Sequence, residues 1–179
     1  MWESYELIVD EMLKSKRALR NVNEHETRLV KEFLLDRRLS SLPAPLAGGQ
    51  TFRDDLKRQK HVVMDQYNFT KSQYELAVRC LVYAGDYCAK RQNPLPVMVA
   101  WQKIKQAGIS PLENCVSTFM YVLGMDERCS VVLGEVATVH DLLFPPNEKT
   151  VFLRIKSLVS QNDPDSAEAV LASLPVRRI

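Results

Sequence analysis

Trp101-Gln102-Lys103-Ile104-Lys105-Gln106-Ala107-Gly108-Ile109-Ser110-Pro111-Leu112-Glu113-Asn114-Cys115-Val116 decides the fold. Leading into it, Val97, Ala100, Trp101 and Ile104 recur at i, i+3, i+4 and i+7, which is the apolar stripe of one helix face. Gly108 follows as a stop, because glycine takes the left-handed conformation that ends a helix. Ser110-Pro111-Leu112-Glu113 has the form of a capping box, with a hydroxyl for a free N–H and a carboxylate reaching back. A second stripe then begins at Val116, Phe119, Met120 and Leu123 and stops at Gly124. The stretch predicts two helices joined by a tight turn.

The same reading extends in both directions. Tyr74, Ala77, Val78 and Leu81 form a stripe that Gly85 is expected to end, and Thr70-Lys71-Ser72-Gln73 gives its capping box. Downstream stripes are Val132, Val136, Val139 and Leu143, then Val151, Ile155, Leu158 and Val159, then Ala167, Val170, Leu171 and Leu174. Pro164 suits a first helical position, where its missing N–H costs nothing. Upstream, Tyr5, Ile8, Val9 and Met12 mark one helix and Val30, Phe33 and Leu34 another. A Pro/Gly loop spans 41–50, and Phe52, Leu56, Val63 and Tyr67 lie in a highly charged helix over 51–70. No alternating strand pattern competes. The expectation is an all-α chain of about nine helices, each of ~12–18 residues, opening with a helical hairpin over 1–40. Helices this short need a neighbour for their apolar face, which a compact bundle and a stacked array both supply.

Composition narrows the class. With 179 residues, 46% hydrophobic and 26% charged, the chain is ordinary for a soluble globular protein. No stretch approaches the ~18 uncharged apolar residues of a membrane span. The 24 basic and 22 acidic residues leave a net charge of +2, which neither requires nor excludes nucleic acid, since a local patch outweighs the sum. Cys80, Cys88, Cys115 and Cys129 form no C-x-x-C pair, and His25, His61 and His140 lack ligand spacing to them; a reducing compartment and no metal are expected. The acidic start, Met1-Trp2-Glu3-Ser4-Tyr5-Glu6, fits neither a secretory signal nor a transit peptide. That leaves a cytoplasmic or nuclear protein, or a mature or excised segment of something longer.

A period of hairpins emerges when the stripes are aligned. One unit runs over 71–112, the next over 113–147 and a third over 148–179. Gln106-Ala107-Gly108-Ile109-Ser110-Pro111, with a weaker echo in Pro146-Asn147 and Thr150, resembles the turn between units of the pentatricopeptide repeat family. Tetratricopeptide repeats are the close structural alternative. The resemblance implies an α-solenoid of antiparallel helical hairpins. The first unit departs from the pattern: it is forty-two residues, seven more than the thirty-five of the second, with the excess placed around Cys88–Pro94.

The same resemblance implies binding of single-stranded RNA in mitochondria or plastids, one base per repeat, in RNA processing, translation or ribosome assembly. Bases would be chosen by a polar residue of the first helix and the last residue of the unit. In this chain those positions are Ser117 and Asn147 for the second unit, with a helix-surface hydroxyl and a turn amide as the plain alternative. Glu75 with Leu112, and Phe152, fill the equivalent places without fitting the code. Lys14, Lys16, Arg17 and Arg20, together with Lys90 and Arg91, are candidate contacts to phosphate or to a partner. Arg53, Lys57, Arg58 and Lys60 alternate with Asp54 and Asp55 and read as a solvated face. A protein–protein adaptor using the same groove is the other expectation. Catalysis finds no motif: Ala47-Gly48-Gly49-Gln50-Thr51 lacks the lysine of a phosphate loop, and no nucleophile with its base is legible. No cofactor, small-molecule substrate or membrane partner is expected.

Overall fold

The computed structural model describes residues 2–14, 23–38 and 49–173, and among them every regular element is helical. The helices are α1 (Trp2–Lys14), α2 (Glu24–Leu35), α3 (Gly49–Tyr67), α4 (Lys71–Arg91), α5 (Leu95–Ala107), α6 (Glu113–Leu123), α7 (Ser130–Leu143), α8 (Glu148–Ser160) and α9 (Pro164–Ala172). A single 3-10 turn, Glu127–Cys129, leads into α7. Residues 41–48 of the Pro/Gly loop and Leu174 lie outside the described residues. The charged helix expected from residue 51 begins at Gly49.

Local chemistry accounts for several helix ends. Thr70 caps α4 in a complete capping box with Gln73, as its sequence predicts. Asn147 caps α8 in a second box with Thr150. Four helices stop on one left-handed residue: Asn68 (φ 54°), Gln92 (φ 51°), Gly108 (φ 69°) and Asn162 (φ 56°). In each case the next N–H bonds a carbonyl five residues back, as in Phe69 to Met64 at 2.9 Å and Ile109 to Ile104 at 3.1 Å. Only one of these four terminators is glycine, so the others carry a weaker signal in the sequence.

Two expectations fail for stated reasons. Gly85 does not stop α4, which runs 21 residues to Arg91. It serves close packing instead: a β-carbon there would lie 2.9 Å from Cδ1 of Phe119 on α6. The seven surplus residues of the first unit, placed by sequence around Cys88–Pro94, are therefore about two additional helical turns of α4. Nor does Ser110-Pro111-Leu112-Glu113 form a capping box. Helix α6 starts later, at Glu113, after Leu112 and with no side-chain cap.

Packing follows the hairpins in the C-terminal half. Helices α4 and α5, α6 and α7, and α8 and α9 pack as pairs, and the first members α4, α6 and α8 adjoin in that order. The N-terminal helices do not continue the series. Helix α1 packs on α4 and α5, α2 on α4, and α3 on α5 and α7. Surrounded in this way, α5 is buried at Val97, Val99, Ala100, Trp101, Lys103, Ile104 and Ala107, positions that circle its axis. All the buried apolar side chains but Val151 and Ala167 form one connected cluster from Tyr5 to Leu153. Trp101 belongs to it, 1% exposed, with its indole N–H donating to Glu135 Oε1 at 3.2 Å.

The N-terminal hairpin is fixed by a buried cation. Lys103 Nζ of α5 donates to the carbonyls of Phe33 at 2.8 Å and Asp36 at 2.6 Å, at the C-terminal end of α2. Beside it, the Asp36 carboxylate accepts from Arg38 and from the Tyr67 hydroxyl, which ties α3 to the end of α2.

Candidate functional site

The first helices of the three hairpins share a register. Their N-caps are Thr70, Leu112 and Asn147. Counting from each cap, the second, fifth and ninth residues lie three and four apart, on one helix face. They are Ser72, Glu75 and Arg79 on α4, Asn114, Ser117 and Tyr121 on α6, and Lys149, Phe152 and Lys156 on α8. None of the nine is buried.

Between α6 and α8 this face opens into a groove of about 420 Å³, lined by Tyr121, Gly124, Met125, Lys149, Phe152, Leu153 and Lys156. Its two rings come from successive hairpins and face water: Tyr121 is 48% exposed and Phe152 66%. Together they place exposed apolar surface on either side of the groove. The floor is narrow, since a β-carbon on Gly124 would lie 3.2 Å from Cδ2 of Leu153. Lys149 Nζ stands 5.3 Å from the centre of the Tyr121 ring. Lys156 Nζ donates to the Gly124 carbonyl at 2.7 Å, neutralising the exposed C-terminal end of α6. No carboxylate lines the groove. Aromatic faces beside ammonium groups suit a ligand that is both flat and anionic.

The residues singled out by sequence are distributed around this groove, not inside it. Ser117 is on the same face of α6, where its hydroxyl donates to the Asn114 carbonyl at 3.2 Å. Asn147 is committed to structure: its Oδ1 accepts the Thr150 N–H at 3.0 Å, and its Nδ2 donates to Glu113 Oε1 at 3.2 Å. Glu113 also meets Nε2 of the buried His140 at 3.1 Å. One carboxylate thus joins the start of α6, the end of α7 and the cap of α8. Lys14 and Lys90 are exposed. Arg91 is paired with Glu11 of α1 and bonded to the Tyr87 carbonyl, so it serves the packing of α1 on the extended end of α4. Lys16, Arg17 and Arg20 lie outside the described residues. Of the middle basic set, Arg58 pairs with Asp55 and Lys60 sits 4.7 Å from the centre of the Tyr74 ring.

Other features carry less chemistry. All four cysteines are free and buried, and burial pushes the Cys80, Cys88 and Cys115 thiols up to about 12, far from the thiolate a nucleophile needs. Among the described residues no three His, Cys, Asp or Glu side chains gather as a metal site, and no helix is long and apolar enough to cross a membrane. A smaller hollow of about 290 Å³ lies between Met120, Thr150, Arg154 and Val170, but its cation is paired with Asp141. Sequence reasoning noted Phe152 only as a misfit to a base-reading code and passed over Tyr121. The available signal was two large rings on the polar side of their stripes. No family model, characterised protein or solved structure matches this chain.

Proposed function

We propose that the chain is a helical-repeat factor that binds single-stranded RNA along the face built by α4, α6 and α8. The hairpins of α4 to α9 then form a short solenoid, with α1 to α3 closing its first unit and its second-helix side. The carrying observation is the groove between α6 and α8, where two exposed aromatic rings share their walls with two lysines and no carboxylate. Single strands are held by stacking of bases on aromatic side chains and by cations along the backbone. Support also comes from the common register of Glu75, Ser117 and Phe152, each five residues past its cap, as expected of repeated units. The repeat resemblance adds the setting: RNA processing, translation or ribosome assembly in a mitochondrion or plastid.

The test is binding of labelled single-stranded RNA at ~50 mM and ~200 mM salt. Affinity should be measurable at the lower salt and should fall with salt, because phosphate contacts release counterions. Absence of binding at ~50 mM removes the RNA reading. The protein-adaptor reading then takes its place, favoured by one observation of its own: Met125 and Leu153 make much of the groove lining aliphatic, as a peptide side chain would want.

A further inference from the structure

We infer that the α6–α8 groove is a stacking clamp that holds one nucleotide whatever its base; this rests on the RNA reading above. Discrimination between bases needs hydrogen-bonding groups at their edges, supplied by amides, carboxylates or hydroxyls set at fixed depth. The groove has none but the terminal hydroxyl of Tyr121. What it offers are two π faces and two ammonium groups, and every base has a π face to match. The amide nearest in the repeat register, Asn147, is bound to Thr150 and Glu113. Lys149, held only against the Tyr121 ring, is free to swing to a phosphate when a base takes its place on that ring. Lys156 is anchored on the Gly124 carbonyl and fixes the other wall. The clamp therefore contributes affinity and register along the strand, and leaves sequence choice to other contacts.

Homopolymers of A, U and C of equal length, titrated against the wild type, Phe152→Ala and Tyr121→Ala, test this directly. Each variant should lose roughly five- to a hundred-and-fortyfold in affinity, the worth of one stacked base, and should lose it on all three polymers, with only the modest spread that stacking strength imposes. Phe152→Tyr should restore it. Both rings are exposed, so helicity by circular dichroism should be unchanged in every variant. Lys149→Gln should lower the slope of log affinity against log salt by about 0.7, one phosphate contact on a single strand. Two results overturn the clamp while sparing the RNA reading: unchanged affinity in both alanine variants, or a loss confined to one of the three polymers. No binding by the wild type at ~50 mM salt overturns both together.

Discussion

Gly108 touches the backbone of α3: a β-carbon on it would fall 2.1 Å from the carbonyl oxygen of Leu56 and 2.3 Å from the amide nitrogen of Lys60. The residue that ends α5 is therefore also where α3 crosses it. Two demands meet at one position, a positive φ of 69° and the absence of any side chain. Gly108→Ala should lower unfolding free energy by at least about 2 kcal/mol, since the left-handed conformation alone costs about 1–2 kcal/mol and α3 must also move. Urea denaturation checks it: a loss no larger than the ~1–2 kcal/mol of the backbone alone would place α3 elsewhere.

Lys103 predicts an unusual pH dependence. Burial holds its ammonium group down at about 8, below the ordinary 10.5, although the Asp36 carboxylate pulls the other way. Between those values the unfolded chain binds more protons than the folded one, so this group makes the fold more stable as pH rises. Lys103→Met lacks that proton. The stability of the wild type relative to this variant should therefore grow by about 1–2 kcal/mol from pH 7.5 to 9.5, at ~1.4 kcal/mol per unit. Chemical denaturation of both proteins at the two pH values decides it; a constant difference would mean that the lysine is solvated.

The stripes were legible in sequence because burial and helical period coincide at Tyr5, Val97, Trp101, Phe119 and Val136, all now in one core. Glycine was ambiguous. Gly85 and Gly108 look alike as letters, but one allows a neighbouring helix to approach mid-helix and the other reverses the chain. Which applies depends on partners far away in sequence, Phe119 and Leu56. The packing of α1 to α3 against α4 and α5 was illegible for the same reason, because it rests on contacts such as Lys103 with Phe33 that no local period encodes. Of the groove, the register was visible in the unit boundaries and in Phe152, whereas the cap read at Ser110 falls two residues before the true one, Leu112. Its pairing with Tyr121 needed the spacing between α6 and α8.

Gln92 ends α4 in the left-handed region at φ 51° and is exposed, so nothing but its own backbone opposes a change. A glycine there removes the β-carbon clash and keeps both closing bonds, from Gln92 to Ala89 and from Asn93 to Cys88. Gln92→Gly should be neutral or raise stability by up to about 1 kcal/mol, the steric relief partly offset by the freer unfolded chain. Thermal melting resolves a change of that size. A clear destabilisation would mean that the turn is not left-handed.

Glu113 gives the sharpest test of how the second and third hairpins are joined. Its Oε1 receives both His140 Nε2 and Asn147 Nδ2, and His140 is 1% exposed with its Nδ1 lacking a partner. Removing the carboxylate leaves the buried imidazole with no hydrogen bond. Glu113→Ala should cost about 1–3 kcal/mol, and most of that loss should vanish when it is combined with His140→Leu, which removes the stranded group. A double-mutant cycle measures this. Additive losses would show that the two side chains act separately.

Ser117 separates base reading from stacking. In a base-reading repeat its hydroxyl would select a base edge. Here it donates to Asn114 one turn back, and the groove beside it is walled by rings and lysines. Ser117→Ala should leave stability within ~0.5 kcal/mol and the ranking of A, U and C polymers unchanged, whereas Asn147→Ala should cost ~1 kcal/mol of stability through its lost cap. Competition binding with mixed homopolymers reads the ranking. If Ser117→Ala reorders the polymers, the hydroxyl turns outward when RNA binds, and the hairpin reads its base after all.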